Sequence, residues 1–357
     1  MVAQILGWTA TVIAVLMIAF TVLPIFPTTI WWIRDMGFPR VQILVLLLAS
    51  ALPLLIWFRT DDLKFAVGIV GALCIIYQFY EIYPYTMIAS KQSKAAESID
   101  STRRVRLMVA NVLQSNRNSQ NLIGIVKEYD PDILVAVETD RWWTTELADG
   151  LRDRYPFVVS EPIDNTYGII MLSRFELIAP EVRYLVIDTV PSILTDVRLR
   201  NGEIFRLYAV HPLPPLPGID TDERDAELLI AAKMVKKRNE PAIVLGDLND
   251  VAWSATTIEF QEISSMLDPR RGRGMFNTFH AEHFWLRYPL DHIFHTKHFR
   301  LVSMDRLPSW GSDHFPIGAE FSYEPENQNG QDAPDAGSDD HREAEEKIEE
   351  GMEEGRK

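Results

Sequence analysis

The sequence predicts an α/β fold of two packed β-sheets with helices outside them, carried behind three membrane-crossing helices. Three observations lead there. Residues 5–25, 41–58 and 65–80 are apolar and uncharged, each near the ~20 residues that a helix needs to cross a bilayer. From Val105 the texture changes to short apolar runs, about nine of strand length, broken by turns and by helical stretches. One strand after another then ends in a residue able to hold a metal ion or a phosphate.

At 357 residues the chain is too long for one average domain. Its formal charge of -15 is uneven, since 324–357 holds about 13 acidic against about 4 basic residues. The remainder lacks the positive balance of a protein that grips nucleic acid through many phosphates. Cys74 is the sole cysteine and lies in an apolar run, which excludes a disulfide framework and a thiolate metal site.

The first apolar run has no basic lead-in and no small-residue cleavage site, and further runs follow it, so it reads as a span and not a signal peptide. Trp31, Trp32, Trp57, Tyr77, Tyr80, Tyr83 and Tyr85 lie near run ends, where interfacial aromatics gather. Residues 1–88 are therefore expected to form a membrane region with three transmembrane helices, and the small, polar 89–104 a linker. Arg34, Arg40, Lys91, Lys94, Arg103 and Arg104 on the domain side, against Arg59 and Lys64 on the other, lean toward a cytoplasmic domain.

In 105–323 the run 106–111 ends in Asn111. Helical spacing over 120–128 stops at Asp130-Pro131-Asp132, and the run 133–138 ends in Glu138. Runs 167–173, 184–187 and 192–198 follow, and 204–210 ends in His211. An amphipathic stretch, 223–237, leads into 242–245, a buried strand closed by Gly246-Asp247-Leu248-Asn249. Runs 290–294 and 311–317 carry Asp291 and Asp313-His314.

Asp247 and Asn249 are two residues apart, so on extended backbone both side chains leave one face. Such a pair suits a hard cation, a phosphate and an attacking water. Taken singly each strand end is ordinary, because Asp and Asn are common turn residues and a charge after an apolar run is usually solvated. Repetition at Asn111, Glu138, His211, Asp247 with Asn249, Asp291 and His314 is not ordinary.

In this order, with Val-Glu-Thr at 137–139, Gly-Asp-Leu-Asn at 246–249, Leu-Asp-His-Ile-Phe at 290–294 and Ser-Asp-His-Phe-Pro-Ile at 312–317, these residues resemble the endonuclease/exonuclease/phosphatase superfamily over about 105–322. That group includes pancreatic-type deoxyribonucleases, abasic-site endonucleases, neutral sphingomyelinases and inositol polyphosphate 5-phosphatases. The resemblance implies a four-layered α/β/β/α sandwich (DNase I-like) and metal-dependent hydrolysis of a phosphoester, with Mg²⁺ as the ion and Mn²⁺ as the alternative. It implies metal-site residues Asn111, Glu138 and Asp313, and a catalytic set of His211, Asp247, Asn249, Asp291, Asp313 and His314. Glu138 would hold the cation and Asp247 would orient or deprotonate the water. Asn249 would position phosphate or water, and His211 and His314 would face the phosphate oxygens. Either Asp291 or Asp313 would pair with His314 and raise its basicity. His292, inside an apolar run, is the weaker histidine.

The expected function is that of a membrane-anchored phosphoesterase, multi-pass in the cell membrane. A lipid-linked substrate is preferred over DNA because anchoring concentrates enzyme and bilayer-borne substrate together. Three spans before such a domain also resemble bacterial membrane phosphatases linked to glycopeptide resistance. That would put the domain outside the membrane, against the charge count, so the side stays open. One alternative is a divalent-metal nuclease acting on DNA or RNA, for which Arg270-Arg271-Gly272-Arg273 is the basic cluster placed to serve. The other is a non-enzymatic membrane scaffold, whose sign would be a lost site residue. The proline-rich 211–218 reads as a stiff loop after His211, and 324–357 as an acidic disordered tail.

Overall fold

The computed structural model describes residues 1–215 and 217–356. The chain divides into two units, Met1–Ala89 with Pro215–Thr221, and Ser90–Pro214 with Asp222–Lys357. The proline-rich loop after His211 is thus split between them, and its Leu216 lies outside the described residues.

The first unit contains α1 (Val2–Val22), α2 (Trp31–Asp35), α3 (Arg40–Trp57) and α4 (Asp62–Ile82). Its helical stretches Val2–Ile25, Arg40–Trp57 and Asp62–Tyr85 are long and apolar enough to cross a membrane. Asp61 caps α4 by accepting from the Lys64 backbone N–H. Inside the bundle, Gln78 Nε2 donates to Thr21 Oγ1 at 3.0 Å and Gln78 Oε1 accepts from Arg40 Nη1 at 3.3 Å. That chain links α1, α3 and α4 through groups that hydrocarbon could not satisfy.

The second unit begins with β1 (Arg104–Asn111), α5 (Ser119–Tyr129), β2 (Ile133–Val137), α6 (Arg141–Gly150), β3 (Phe157–Glu161) and β4 (Ile169–Ser173). It continues through β5 (Leu177–Tyr184), β6 (Pro191–Arg198), β7 (Ile204–Ala209), α7 (Asp222–Arg238), β8 (Ala242–Asp247) and α8 (Ala255–Ser264). It ends with β9 (Asp291–His295), β10 (Phe299–Arg306), β11 (Ile317–Tyr323) and α9 (Ser338–Glu354). One sheet runs β10-β11-β1-β2-β4-β3 and the other β5-β6-β7-β8-β9.

Both faces of the central strands are covered, which is why they read as continuous apolar runs. Leu107, Val135 and Met171 meet Ile193, Leu207 and Leu245 between the sheets. One residue along, Met108 and Leu134 face outward onto Leu122 of α5 and Trp143 of α6. Tyr208 and Val244 likewise face Leu228 of α7 and Phe260 of α8. Strand periodicity of two therefore builds four layers, helices–sheet–sheet–helices.

Four expectations change. The strand expected over 184–187 lies earlier, as β5, and the run 311–317 is a loop up to Pro316, with β11 starting at Ile317. The linker 89–104 is not free. Leu301 N–H donates to the Lys94 carbonyl, Ala96 N–H to the Leu301 carbonyl, both at 2.9 Å, and Ser93 Oγ lies 2.7 Å from His295 Nε2. Residues 93–96 are thus a strap that takes up backbone groups at the β10 edge, as exposed strand edges demand.

The acidic tail is not disordered throughout. Ala344 and Ile348 of α9 pack into the α7–α8 cluster, and Lys347 meets Glu259 at 2.7 Å while Lys233 of α7 meets Glu345 at 2.7 Å. Gly351 permits the close approach, since a Cβ there would lie 2.4 Å from the Asp222 carbonyl oxygen.

Candidate active site

The topology gathers the strand ends. β1 is parallel to β2 and β7 to β8, so Asn111, Glu138, His211 and Asp247 follow carboxyl ends that point the same way within each sheet. β9 and β11 run antiparallel to β8 and β1, so Asp291 and His314 enter from amino ends. Asp247 and Asp291 are direct cross-strand partners.

Asn111 Nδ2 donates to Glu138 Oε1 at 2.8 Å and to Asp247 Oδ2 at 2.9 Å. Its Oδ1 accepts from the Leu113 N–H at 2.9 Å. Asn111 therefore organises two carboxylates and turns its own oxygen to the backbone. Glu138 Oε2 accepts from the Gln114 N–H at 3.2 Å.

Asp247 Oδ1 accepts from the Asn249 N–H at 3.0 Å, closing an Asx turn. Asn249 sits at φ 51 and Glu138 at φ 61, left-handed conformations that non-glycine residues tend to hold at functional sites. Asn249 Nδ2 donates to the Pro212 carbonyl at 2.9 Å, and Arg224 donates to the Asn249 carbonyl at 3.0 Å. Asn249 thus fastens the loop after His211. Gly246 has φ 150, and a Cβ on it would lie 1.8 Å from the Val210 carbonyl oxygen. Only glycine brings Asp247 this close to the end of β7.

His314 pairs with Asp291, Nδ1 to Oδ2 at 2.8 Å, and its Nε2 lies 3.6 Å from Asp247 Oδ2. This decides between the two carboxylates left open by sequence. The Asp313 Oδ1 is 3.3 Å from the Ser312 hydroxyl and its carbonyl accepts from Ala281 N–H. It stands apart from the buried group formed by Asp247, Asp291 and His314, whose ligating atoms lie within 4.8 Å of one another. His292 also turns away, between Arg270 at 2.5 Å and the Asp250 carbonyl at 2.8 Å.

Burial alone would lower the His314 pKa, but the Asp291 and Asp247 carboxylates outweigh it and raise it to about 10. Burial, with Asp291 beside it, raises the Asp247 pKa, and burial raises that of Glu138. His211 is pushed down to about 4, chiefly by burial, so it is neutral at physiological pH. Its Nδ1 has no hydrogen-bond partner among the described residues, and neither has Asp291 Oδ1.

These residues fit a divalent cation. Glu138, half-buried, and Asp247, fully buried, are carboxylates held to one amide group, and an all-oxygen donor set suits a hard ion. His314 is a poor ligand here, because a protonated imidazole offers no lone pair.

Other contributors carry no sequence motif of their own. Thr278 Oγ1 accepts from the Asp291 N–H at 3.1 Å, and the Phe279 ring lies 5.0 Å from that of His314. Tyr167 stacks obliquely on His211 at 5.7 Å. Ser312 was within a recognised motif, and its hydroxyl donates to the Asn111 carbonyl at 2.8 Å while accepting from His314 N–H at 3.0 Å.

The basic cluster is not a surface patch. Arg270 is fully buried and forks onto Asp268 at 2.8–3.1 Å. Arg273 donates to the Ser93 and Pro269 carbonyls.

A profile of the Endonuclease/Exonuclease/phosphatase family matches residues 108–314. No curated protein matches the sequence. Among solved structures, the human Nocturnin catalytic domain with bound sulfate is 20% identical, with TM-score 0.51, over 62% of this chain and 94% of that one. TDP2 of D. rerio, complexed with a single-strand DNA product, is 16% identical with TM-score 0.51, over 62% of this chain and all of its own. An endonuclease/exonuclease/phosphatase from Beutenbergia cavernae is 16% identical with TM-score 0.52, over 67% and 76% of the two chains. At such identities the likeness speaks for the fold.

Proposed function

Because the chain belongs to the endonuclease/exonuclease/phosphatase family, whose members are metal-dependent hydrolases of phosphoester bonds, we propose that it is a membrane-anchored phosphoesterase acting on a phosphate ester carried at the bilayer. The observation that carries the chemistry is the His314 ring held by Asp291 at 2.8 Å with Asp247 on its other nitrogen at 3.6 Å.

Glu138 and Asp247 would hold the divalent cation, Mg²⁺ or Mn²⁺, which when bound neutralises phosphate oxygens and makes water more acidic. Asp247 orients the attacking water and takes its proton. His314, kept protonated by the two aspartates, stabilises the charge that develops on the phosphate and supplies a proton toward the leaving oxygen. Asp291 fixes the Nδ1–H of that ring and so its orientation. His211, uncharged, would donate a ring N–H to the same phosphate oxygens. Asn111 and Asn249 hold these groups in register.

Three helices of spanning length support a bilayer-borne substrate, since tethering raises its effective concentration. The nuclease reading loses the basic cluster on which it rested, because Arg270 is committed to Asp268. The scaffold reading finds no missing site residue.

The test is hydrolysis by purified full-length protein with Mg²⁺ of lipid phosphates in vesicles, a soluble phosphodiester and plasmid DNA, alongside Asp247→Ala. Lipid phosphate should be cleaved and the variant inactive. Cleavage of DNA alone would sink the bilayer substrate, and activity untouched by EDTA or by the substitution would sink the mechanism. Protease accessibility on intact cells reads the side of the membrane.

A further inference from the structure

The loop 281–287 presents Phe284, Trp285 and Leu286 to solvent, 76%, 47% and 47% exposed. The turn is hydrogen-bonded internally, Leu286 N–H to the His283 carbonyl and His280 N–H to the Leu286 carbonyl, both at 2.9 Å. Its base is fastened beside the catalytic histidine, through Phe279 against His314 at 5.0 Å and Ala281 N–H to the Asp313 carbonyl at 2.6 Å. Three large apolar side chains on an ordered turn are a standing cost in water.

A cationic pair adjoins this tip. The Arg287 and Arg306 guanidinium groups lie 5.0 and 4.3 Å from the ring of Phe315, the residue after His314. Both donate to backbone carbonyls, Arg287 to His280 and Ala281 and Arg306 to Asn277. Neither forms an ion pair with a carboxylate among the described residues. Glu282, the acid on the loop, lies among His280 and His283, with ligating atoms within 4.8 Å. Burial and the Arg287 charge lower the Arg306 pKa.

Apolar aromatics beside unneutralised arginines are the composition of segments that lie in a lipid interface, the former in the acyl boundary and the latter against anionic headgroups. The chain carries its own bilayer tether, so that surface is always at hand. We propose that the 281–287 loop is an interfacial anchor, with Phe284, Trp285 and Leu286 entering an anionic bilayer while Arg287 and Arg306 meet its phosphate headgroups. The active site is then opened to headgroups by the segment that rests on His314. The inference rests on α1, α3 and α4 crossing the membrane and not on the reaction.

The test uses the full chain in nanodiscs of phosphatidylcholine with and without phosphatidylglycerol. On a Cys74→Ala background, a polarity-sensitive fluorophore is placed at Phe284→Cys, at Val12→Cys in α1 and at Arg152→Cys, and quenching by doxyl-labelled lipid is read. The 284 probe should be quenched about threefold or more above the 152 probe. That excess should shrink without phosphatidylglycerol and in Arg287→Gln/Arg306→Gln. Quenching at 12 with none in excess at 284 overturns the anchor alone. No quenching at 12 overturns the membrane reading, and the anchor with it. Equal excess in neutral lipid overturns the headgroup role of the arginines. Deuterium exchange on the unsubstituted chain provides a second readout: amides 282–287 should exchange more slowly in anionic nanodiscs than in detergent, and equal rates overturn the proposal.

Discussion

Asp247 and Asp291 stand directly opposite each other across the β8–β9 pair, both buried, and the His314 ring bridges their Oδ2 atoms at 3.6 and 2.8 Å. Like charges in cross-strand positions repel. Here the repulsion and burial are offset by one imidazolium, which the two carboxylates keep charged.

Asp291→Asn should therefore lower kcat/KM by roughly 10²–10⁴-fold while leaving the fold intact. His314 has a raised pKa, so its protonated form persists at neutral pH and is lost as pH rises through about 10. Without the Asp291 charge that loss comes at lower pH. A pH–rate profile whose alkaline limb does not move would count against the pairing.

Removal of divalent ions with EDTA should abolish activity, and Mg²⁺ or Mn²⁺ should restore it. Because Glu138 is half-buried and Asp247 fully buried, both with raised pKa values, added cation should also raise the melting temperature of the impaired Asp291→Asn protein. In Glu138→Gln that thermal shift should need at least about tenfold more metal. An unchanged metal dependence would remove Glu138 from the cation.

Gly246→Ala should destabilise the domain by on the order of 3 kcal/mol or more, since its Cβ would lie 1.8 Å from the Val210 carbonyl oxygen and its φ of 150 disfavours any side chain. Denaturant unfolding measures it. A loss below about 1 kcal/mol would mean that β7 and β8 separate easily there.

Glu227 is buried on α7 with one hydrogen bond, from Ser192 Oγ at 3.1 Å, and burial pushes its pKa up to about 8. The folded state then holds a proton that the unfolded chain releases near the ordinary carboxyl range. The stability linked to that proton is full below the unfolded pKa and falls until pH passes about 8. Glu227→Gln should flatten this decline and raise the melting temperature at pH 8 relative to pH 5. Parallel curves for the two proteins would contradict it.

The active-site residues were legible because each is a polar residue set abruptly after an apolar strand, and a chain has few other reasons to repeat that. What each does was less so. Asn111 stands at the site and Asp313 beside it, yet the hydrogen bonds that make one a bridge and tie the other to a hydroxyl depend on Leu113 and Ser312. β3 and β10 were missed because their faces are half exposed and their polar residues break the apolar run. Thr278 and Phe279 lie in a loop whose sequence has no periodicity to read. The strap at 93–96 binds through backbone groups, which composition does not reveal.

The C-terminal helix α9 covers part of α7 and α8 with Ala344 and Ile348. It also follows every strand of both sheets in the chain, and is made long after α1, α3 and α4. These helices of membrane-spanning length are thus complete while the outer layer of the β5–β9 sheet still lacks its cover. This layer is complete only once 338–354 has been made, and a chain cut short before Ser338 leaves an apolar seam on α7 and α8 uncovered.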